Sequence, residues 1–347
     1  MTSKKPKISV VIIHYNTPEY LESCIESVLK QSYENIEIIF IDNNSTDKTG
    51  ITFVKEKYDR FKNFKMILNL KNAGYAKAAN QGIRLAEDSE YVVITNPDII
   101  YSKSYFKKCV ERIEQDKSLA AITGKVYKYD FDRKRETDII DTVGLLAYKN
   151  RRFIDDGQGL IDEGQFKKEA EIFGVSGACP LYRKKALEDV KIDNEYFDED
   201  FFMYKEDVDL AWRLNIYGWK SLFFPKAIAY HGRGTGVHRR FFNKELLKVR
   251  DRLTKFQKSH SFRNQHLMQA KNEFFINLLR DFFPILVRQI LMFIYITFKE
   301  PYLWKSYREY LKLLPKILKK RKVIMKNKKI SASKMSKLFK KQSSYLK

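Results

Sequence analysis

Residues 8–29 read ISVVIIHYNTPEYLESCIESVL, an apolar run followed by a polar turn and a second apolar pattern. Ile8–Ile13 is rich in β-branched residues, as in a strand that is covered on both faces. Thr17 is placed as an N-cap with Pro18 at the first helical position, and apolar residues then recur at helical spacing. The stretch therefore predicts a strand leading directly into a helix, the first half of a βαβ unit.

The same alternation of strand and helix patterns continues to about residue 98. Further strand patterns occupy Ile36–Ile41, Lys65–Leu70 and Tyr91–Thr95. Because βαβ crossovers make successive strands parallel, the predicted fold class is α/β, with a mostly parallel, Rossmann-like sheet and helices on both faces. Ligands of such sheets bind at the carboxyl ends of the strands. We expect the binding site in the polar loops that follow the four strands: residues 14–17, 42–47, 72–75 and 96–98.

Several common cofactor and scaffold motifs are missing from the sequence. No G-x-G-x-x-G follows the first strand and no G-x-x-x-x-G-K-[ST] occurs, which excludes the usual dinucleotide and P-loop phosphate cradles. The three cysteines are widely spaced, which excludes a disulfide scaffold and a thiolate zinc site and suits a reducing cytosol. A phosphate therefore needs another partner, such as a hard divalent cation bound to Asp98.

Four further residues suggest chemistry, and each has a structural alternative. Asp42 suits recognition of a base or ribose edge, but an Asp in this place could simply cap a turn. Glu206 and Asp207 begin a helix pattern in an aromatic setting, where one carboxylate could have the raised pKa of a general base. The same pair could merely complement the helix dipole. His231 ends a strand pattern and could ligate a metal or be structural.

Seven short motifs follow one another over residues 13–231. They are IHYNTPEYL (13–21), IDNNSTD (41–47), NAGYAKAANQGI (72–83), TNPD (95–98), VSGA (175–178), FMYKEDVDLAWR (202–213) and PKAIAYH (225–231). Together and in this order they resemble the family 2 inverting glycosyltransferases with a GT-A fold, and within them the rhamnosyltransferase-like branch.

The resemblance implies a role for each motif residue. The nucleotide-sugar would be bound by His14, Tyr15, Asn16, Asp42, Asn72, Gly74, Asn96 and Asp98, with Asp42 on the nucleobase. Asp207 would be the general base with Glu206 beside it, and the acceptor side would include Ser176, Gly177, Trp212 and Arg213. Asp98 and His231 would bind Mg²⁺ or Mn²⁺. Asn96 replaces the first acid of the family's D-x-D motif, which keeps an oxygen ligand but removes a charge.

The formal net charge of +23 is concentrated at the C-terminal end. Residues 1–230 contain 36 basic and 37 acidic side chains, whereas residues 231–347 contain 30 and 6. Helix patterns over Asn264–Phe283 and Phe282–Phe298 precede the basic stretch Lys316–Lys329. This order favours a peripheral anchor on an anionic membrane surface over nucleic-acid binding or a solvated helix pair. Polar residues and a proline interrupt Phe282–Phe298, so we do not expect it to span a bilayer.

We therefore predict a GT-A domain (residues 1–231), a basic linker (232–269) and a helical, basic, membrane-associating extension (270–347). The expected activity is metal-dependent inverting transfer of rhamnose or a similar deoxysugar from a dTDP-sugar to a glycan or polyprenyl-linked saccharide, in cell-surface polysaccharide synthesis. No signal-peptide core is seen at the N-terminus, so the expected location is cytoplasmic, on the inner face of the membrane. A UDP-hexose donor and a non-catalytic glycan- or nucleic-acid-binding protein are the alternatives. The four polar loops after the strands, called the donor loops below, all precede residue 232. We therefore expect a chain ending at residue 269 to keep donor binding.

Overall fold

The computed structural model describes residues 5–232 and 250–341, in which strands and helices alternate at first and helices dominate the end. The strands are β1 (Ile8–His14), β2 (Ile36–Asp42), β3 (Phe64–Leu68), β4 (Tyr91–Thr95), β5 (Ile99–Tyr101), β6 (Leu119–Asp130), β7 (Arg135–Thr142), β8 (Leu145–Tyr148), β9 (Phe153–Asp155), β10 (Ala170–Ile172), β11 (Leu181–Arg183), β12 (Lys220–His231) and β13 (Phe339–Lys340). The helices are α1 (Pro18–Leu29), α2 (Thr49–Tyr58), α3 (Tyr75–Leu85), α4 (Tyr105–Ile113), α5 (Lys184–Asp189), α6 (Glu206–Ile216), α7 (Lys255–Asn272), α8 (Phe275–Arg280), α9 (Phe282–Phe298), α10 (Leu303–Lys326) and α11 (Ala332–Lys337), with a 3-10 turn at Glu199–Phe201.

The central sheet confirms the predicted parallel arrangement. Its strand order is β10-β12-β6-β11-β4-β1-β2-β3, and β1 pairs in parallel with both β2 and β4. The register places His14 beside Asp42, so the loops after β1 and β2 meet at one edge of the sheet. The antiparallel β11 and the parallel β12 extend the sheet on the far side of β4.

Helices cover both faces of the sheet because alternate residues of each strand point to opposite faces. Val10 and Ile12 of β1 belong to the core that contains α1 and α4. Val11 and Ile13 belong to the core that contains α3 and α6. All four side chains are buried, and burial of each such side chain stabilises the fold by about 1.5–3 kcal/mol.

The C-terminal segment, residues 250–341, is built into this fold. Lys255–Asn272 forms α7, which begins with a capping box between Thr254 and Gln257. The prediction of a basic linker over 232–269 was therefore wrong for residues 255–269, whose buried polar side chains weaken the apolar periodicity. The end of the segment returns to the first domain, where β13 pairs with β8 and Phe339 lies 5.4 Å from Trp212 between ring centroids. Residues 233–249 of the predicted linker and 342–347 of the predicted extension lie outside the described residues.

Of the two helices predicted from apolar patterns near the end of the chain, the structure contains one as predicted and divides the other. Phe282–Phe298 is a helix as predicted, but the predicted helix over Asn264–Phe283 is broken at Glu273, whose backbone is extended. Only Ile285 and Ile296 of α9 are buried, while Phe283 and Phe298 are 77% and 78% exposed. No helix within residues 5–232 and 250–341 is long and apolar enough to cross a membrane.

Candidate active site

The loops after β1 and β2 are held together by a buried hydrogen-bonded pair. Asp42 Oδ1 lies 2.9 Å from His14 Nδ1, and Asp42 Oδ2 accepts from Ser45 N at 3.0 Å. Burial raises the pKa of Asp42, but the hydrogen bonds from His14 and Ser45 bring it below its usual value. Asp42 is only 1% exposed, so in this structure it fixes the loop, and its contact with a nucleobase stays a prediction. Tyr15 and Asn16 lie beside this pair and are exposed.

The loop that precedes α3, residues 72–74, packs against the segment before α6. Asn72 Oδ1 accepts from Gly74 N at 2.9 Å and from Asn43 Nδ2 at 3.0 Å. Gly74 has a φ of 82°, and a Cβ at this position would lie 2.6 Å from Phe202 O. Ala76 N donates to the same carbonyl at 3.1 Å. Only glycine allows the two loops to approach this closely.

Asp98 and His231, predicted as metal ligands, come together at the end of β12. β12 pairs with β5, which places His231 opposite Ile99. His231 Nε2 lies 3.3 Å from Asp98 Oδ2, and His231 Nδ1 lies 2.8 Å from Asp141 Oδ2. Burial lowers the pKa of His231, but the two carboxylates raise it to about 9. Asn96 is partly exposed, two residues before Asp98.

These residues fit a divalent cation that a substrate helps to bind. Asp98 would supply an oxygen and His231, once a cation displaces its Nε2 proton, a nitrogen. Asp141 holds the imidazole in the orientation that points Nε2 toward Asp98. Across the described ranges, no cluster of three or more His, Cys, Asp or Glu side chains is placed to hold a metal by itself. Mg²⁺ is commonly bound by one or two carboxylates together with substrate phosphates. A diphosphate would complete such a site here.

The pair Glu206 and Asp207 begins α6, as predicted. Asp207 Oδ2 accepts from Gly177 N at 3.0 Å, and its Oδ1 accepts from Val208 N at 2.8 Å. Burial and the carboxylate of Asp155 raise the pKa of Asp207. Burial and Asp207 raise the pKa of Glu206 to about 8, and Glu206 Oε2 has no hydrogen-bond partner in the described part of the chain. At neutral pH the pair therefore holds a proton on Glu206.

Tyr75, the last residue of the predicted binding loop 72–75, reaches the loop of Gly177 that holds this pair, and no role was predicted for it individually. Its hydroxyl donates to Gly177 O at 3.4 Å. Burial raises the pKa of Tyr75, and the charges of Glu206, Asp207 and Asp98 raise it further. Thr95 Oγ1, at the end of β4, donates to Ala178 O at 3.4 Å, which places Gly177 and the Asp207 bound to it at the same edge of the sheet as Asp98.

The backbone before α6 is strained and is held by α7. Phe202, Tyr204 and Lys205 have φ values of 63°, 70° and 69°, which are unfavourable for residues other than glycine. Asn264 Nδ2 donates to the carbonyls of Phe201, Met203 and Tyr204, each at 2.8 Å. Such strain persists only where surrounding contacts impose it and is common at active sites. Sequence reasoning missed Asn264 because it lies within the stretch predicted as a linker.

Three of the four predicted acceptor-side residues are buried. Ser176 is 3% exposed, Trp212 is 0% exposed and packs against Phe339, and Arg213 is 1% exposed. Arg213 donates to Asp209 and to two backbone carbonyls, so it fixes α6. Of these four predicted residues, only Gly177 combines partial exposure with direct contact to the predicted catalytic pair, through its N–H to Asp207. A direct acceptor contact by the other three stays a prediction.

The family model described as Glycosyl transferase family 2 matches residues 9–191. The match covers more than half of the chain and includes all four donor loops. The chain belongs to glycosyl transferase family 2. A glycosyltransferase family 2 domain is thereby confirmed, whereas its predicted bounds, residues 1–231, and the rhamnosyltransferase-like branch are not addressed by this match.

Family 2 relatives resemble parts of the chain. Glycosyltransferase GlyG of Streptococcus pneumoniae serotype 4 (strain ATCC BAA-334 / TIGR4) is 39% identical over 127 residues, which are 35% of this chain and 40% of GlyG. Poly-beta-1,6-N-acetyl-D-glucosamine synthase of Staphylococcus aureus (strain COL) is 28% identical over 242 residues, 66% of this chain and 52% of the synthase. The chain thus spans about half, or less, of the length of these curated relatives.

A solved structure supports the fold of this family 2 chain. The crystal structure of GalNAc-T7 with UDP, GalNAc and Mn²⁺ aligns with a TM-score of 0.56 at 15% identity, over 77% of this chain and 52% of that chain. At this identity the likeness concerns the fold alone. It confirms the predicted GT-A-type α/β architecture.

Proposed function

We propose that this chain is an inverting glycosyltransferase that uses a nucleotide-sugar donor and Mg²⁺ or Mn²⁺. The observation that carries the proposal is the position of Asp207, whose carboxylate accepts from Gly177 N at the edge of the sheet where Asp98 and His231 also lie. A single displacement at an anomeric carbon requires a base near the attacking hydroxyl on one face of the sugar and a place for the leaving diphosphate on the opposite face.

The chain's own residues would perform the transfer as follows. Asp207 accepts the proton of the acceptor hydroxyl while that oxygen forms a bond to the anomeric carbon of the donor sugar. The bond from that carbon to the diphosphate breaks, the nucleoside diphosphate leaves with the electron pair, and the configuration inverts. Glu206 stays protonated, so it does not add a second negative charge beside Asp207. A divalent cation bound at Asp98 and His231 would supply neutralisation of the charge on the diphosphate.

The first donor to test is a dTDP-activated deoxysugar such as rhamnose. This proposal rests on the resemblance of the motifs, including Asn96 in place of an acid, to the rhamnosyltransferase-like branch. A UDP-hexose is the second candidate. It is supported by the similarity to a poly-N-acetylglucosamine synthase and by the UDP in the GalNAc-T7 structure.

We further propose that the protein works at the inner face of the membrane on a glycan or polyprenyl-linked saccharide of the cell surface. The support is the exposed apolar face of α9 together with the basic side chains of α10. Apolar side chains can enter the interface while Lys and Arg meet anionic lipid. Binding of nucleic acid is not part of the proposal, because that role does not need an apolar helix face.

Calorimetric titration of the full-length protein with dTDP, UDP and GDP, with and without Mn²⁺, tests the donor and the metal together. We expect tight binding of one nucleotide that depends on Mn²⁺ and is lost in Asp98→Ala. Equal affinity with and without Mn²⁺ would reject the metal assignment. Absence of binding for all three nucleotides would reject the glycosyltransferase proposal.

A further inference from the structure

Neighbouring residues of α7 bring two distant parts of the chain to the same place. Asn264 Nδ2 donates to Tyr204 O at 2.8 Å, and Gln265 Nε2 donates to Arg151 O at 2.9 Å. The strained loop before α6 and the turn between β8 and β9 therefore lie side by side. The residues that follow Tyr204 and Arg151 in the chain are the cations Lys205 and Arg152.

His266, the next residue of α7, lies near a third cation, Arg288 of α9. The positive charge of Arg288 lowers the pKa of His266, after burial has lowered it, so the two side chains lie close together. Arg288 is one turn beyond the buried Ile285, on the protein side of α9. Three cations from separate parts of the chain thus form one cationic cluster: Arg152, Lys205 and Arg288.

The electrostatics of the cationic cluster show that its charges repel one another. Burial lowers the pKa of Lys205, Arg288 and Arg152 lower it further, and Asp207 and Asp155 oppose this effect. Burial and Arg152 lower the pKa of Arg288 to about 10. Within residues 5–232 and 250–341, neither the Lys205 ammonium nor the Arg288 guanidinium makes a hydrogen bond or ion pair. An anion between them would relieve the repulsion.

We propose that the cationic cluster binds a phosphate group that the acceptor carries on a lipid. The inference rests on the proposed function, since the site is placed beside the catalytic base. The charges that act most strongly on Lys205 are those of Asp207, Asp155 and the two arginines, none of which belongs to a donor loop. The cluster is therefore on the acceptor side of Asp207. Two guanidinium groups match phosphate oxygens well because each offers paired N–H donors.

The helix that carries Arg288 also indicates why the phosphate would belong to a lipid. Arg288 lies on the protein side of α9, while the opposite side presents a row of exposed apolar side chains: Phe282, Phe283, Val287, Ile290, Phe293, Ile294 and Phe298. A helix with this face lies in the interface of a bilayer, with its polar side at the level of the head groups. A lipid phosphate at that level would be next to Arg288.

The test measures binding of the full-length protein to phosphatidylcholine vesicles that contain a polyprenyl diphosphate, with vesicles of uncharged polyprenol as the comparison. EDTA is present so that no metal can hold the diphosphate at the donor side. We expect the wild type to prefer the diphosphate vesicles, and Arg288→Gln to weaken that binding by about 10- to 100-fold, the usual effect of one charge-assisted hydrogen bond. Arg288→Lys should recover part of it.

Arg60→Gln is the matched control, because Arg60 is exposed in the turn after α2, outside the helices proposed to meet the membrane, and the substitution removes the same charge. It should bind like the wild type, and an equal loss in both variants would reduce the effect to net charge and overturn the proposal. Displacement of the protein by a similar concentration of inorganic diphosphate would overturn the lipid part. Titration with dTDP or UDP and Mn²⁺ on the same samples separates the two proposals. If the wild type binds nucleotide but Arg288→Gln binds the diphosphate vesicles as well as the wild type does, only the phosphate site at the cationic cluster is rejected. If the wild type binds no nucleotide, the proposed function is rejected.

Discussion

The predicted donor edge, defined as the loops after β1–β4, and the C-terminal segment both support the candidate site, but by different means. At the donor edge each loop follows its own strand directly, and the strand register brings His14 to Asp42. The C-terminal segment acts over long distances in sequence, as when Asn264 holds the carbonyl of Tyr204. A site formed at strand ends can be predicted from local patterns, whereas a side formed by long-range polar contacts cannot.

Removal of residues 270–347 is the most severe test of this difference. The sequence predicts that donor binding survives, because all donor loops precede residue 232. The structure predicts the reverse: Lys271, which lies 2.8 Å from Asp209, and the buried ring of Phe339 would both be lost. We expect no cooperative unfolding transition by circular dichroism and no nucleotide binding by calorimetry.

Phe339→Ala in the full-length chain serves as the graded control for this truncation. It should stay folded but lose about 3–5 kcal/mol of unfolding free energy, because its ring fills the space beside Trp212. A truncated protein that unfolds cooperatively and binds nucleotide would show that the C-terminal segment is only an appendage.

Asp207→Asn tests the place where the two regions meet. The amide keeps the shape of the side chain and, through its one oxygen, the contact with Gly177, but it loses the bond from Val208 N and cannot accept the acceptor proton. Turnover should therefore fall by roughly 10²–10⁴. Nucleotide affinity should not change, which a titration on the same preparation will show. Normal turnover in Asp207→Asn, with a loss in Glu206→Gln, would transfer the role of base to Glu206.

The contrast between the two regions also explains which predictions succeeded. β4 was predicted with its observed ends, and β1 and β2 to within one residue, because buried parallel strands are continuous apolar runs. The meeting of Asp98 with His231 followed from both being strand-end residues. Asp141, the partner of His231, was missed because it lies on β7, and no local pattern indicates that β7 reaches the end of β12.

The C-terminal segment was misjudged because its charge resembles that of a solvated tail. Lys271 and Lys320 are among its basic residues, yet both are almost fully buried and bind Asp198. A buried Lys and an exposed Lys are the same letter in a sequence, and only the fold shows which carboxylates face them. The net charge of the segment therefore overestimates the number of basic side chains that are exposed and able to bind a membrane.

Lys271→Met measures how strongly this buried charge network joins the two regions. The substitution removes a cation that bonds Asp198 and Asp209, and breaking a buried pair costs about 3–5 kcal/mol of unfolding free energy. Lys316→Met is the matched control, since Lys316 pairs with Asp200 but is 53% exposed, and it should cost about 1 kcal/mol or less. Urea denaturation of the two variants checks both values, and equal losses would contradict a special role for the buried pair.

Over a single pH unit, the smallest expected effect is the pH dependence of stability that comes from Glu206, which begins the helix that α7 packs against. Burial and Asp207 raise its pKa to about 8, whereas in the unfolded chain it should titrate near its ordinary value of about 4.3. Between these values the folded state keeps a proton that the unfolded state has released. The free energy of unfolding should therefore fall as pH rises across this window, by up to about 1.4 kcal/mol per pH unit from this one group.

Glu206→Gln isolates this contribution because the amide does not titrate and has nearly the same shape. The difference in unfolding free energy between wild type and Glu206→Gln, measured by urea denaturation at several pH values, should change steadily between about pH 5 and pH 8 and level off at higher pH. Other titrating groups are common to both proteins and cancel in the difference. Parallel stability curves would mean that Glu206 is already ionised in the folded protein, and Asp207 would then work beside a second negative charge.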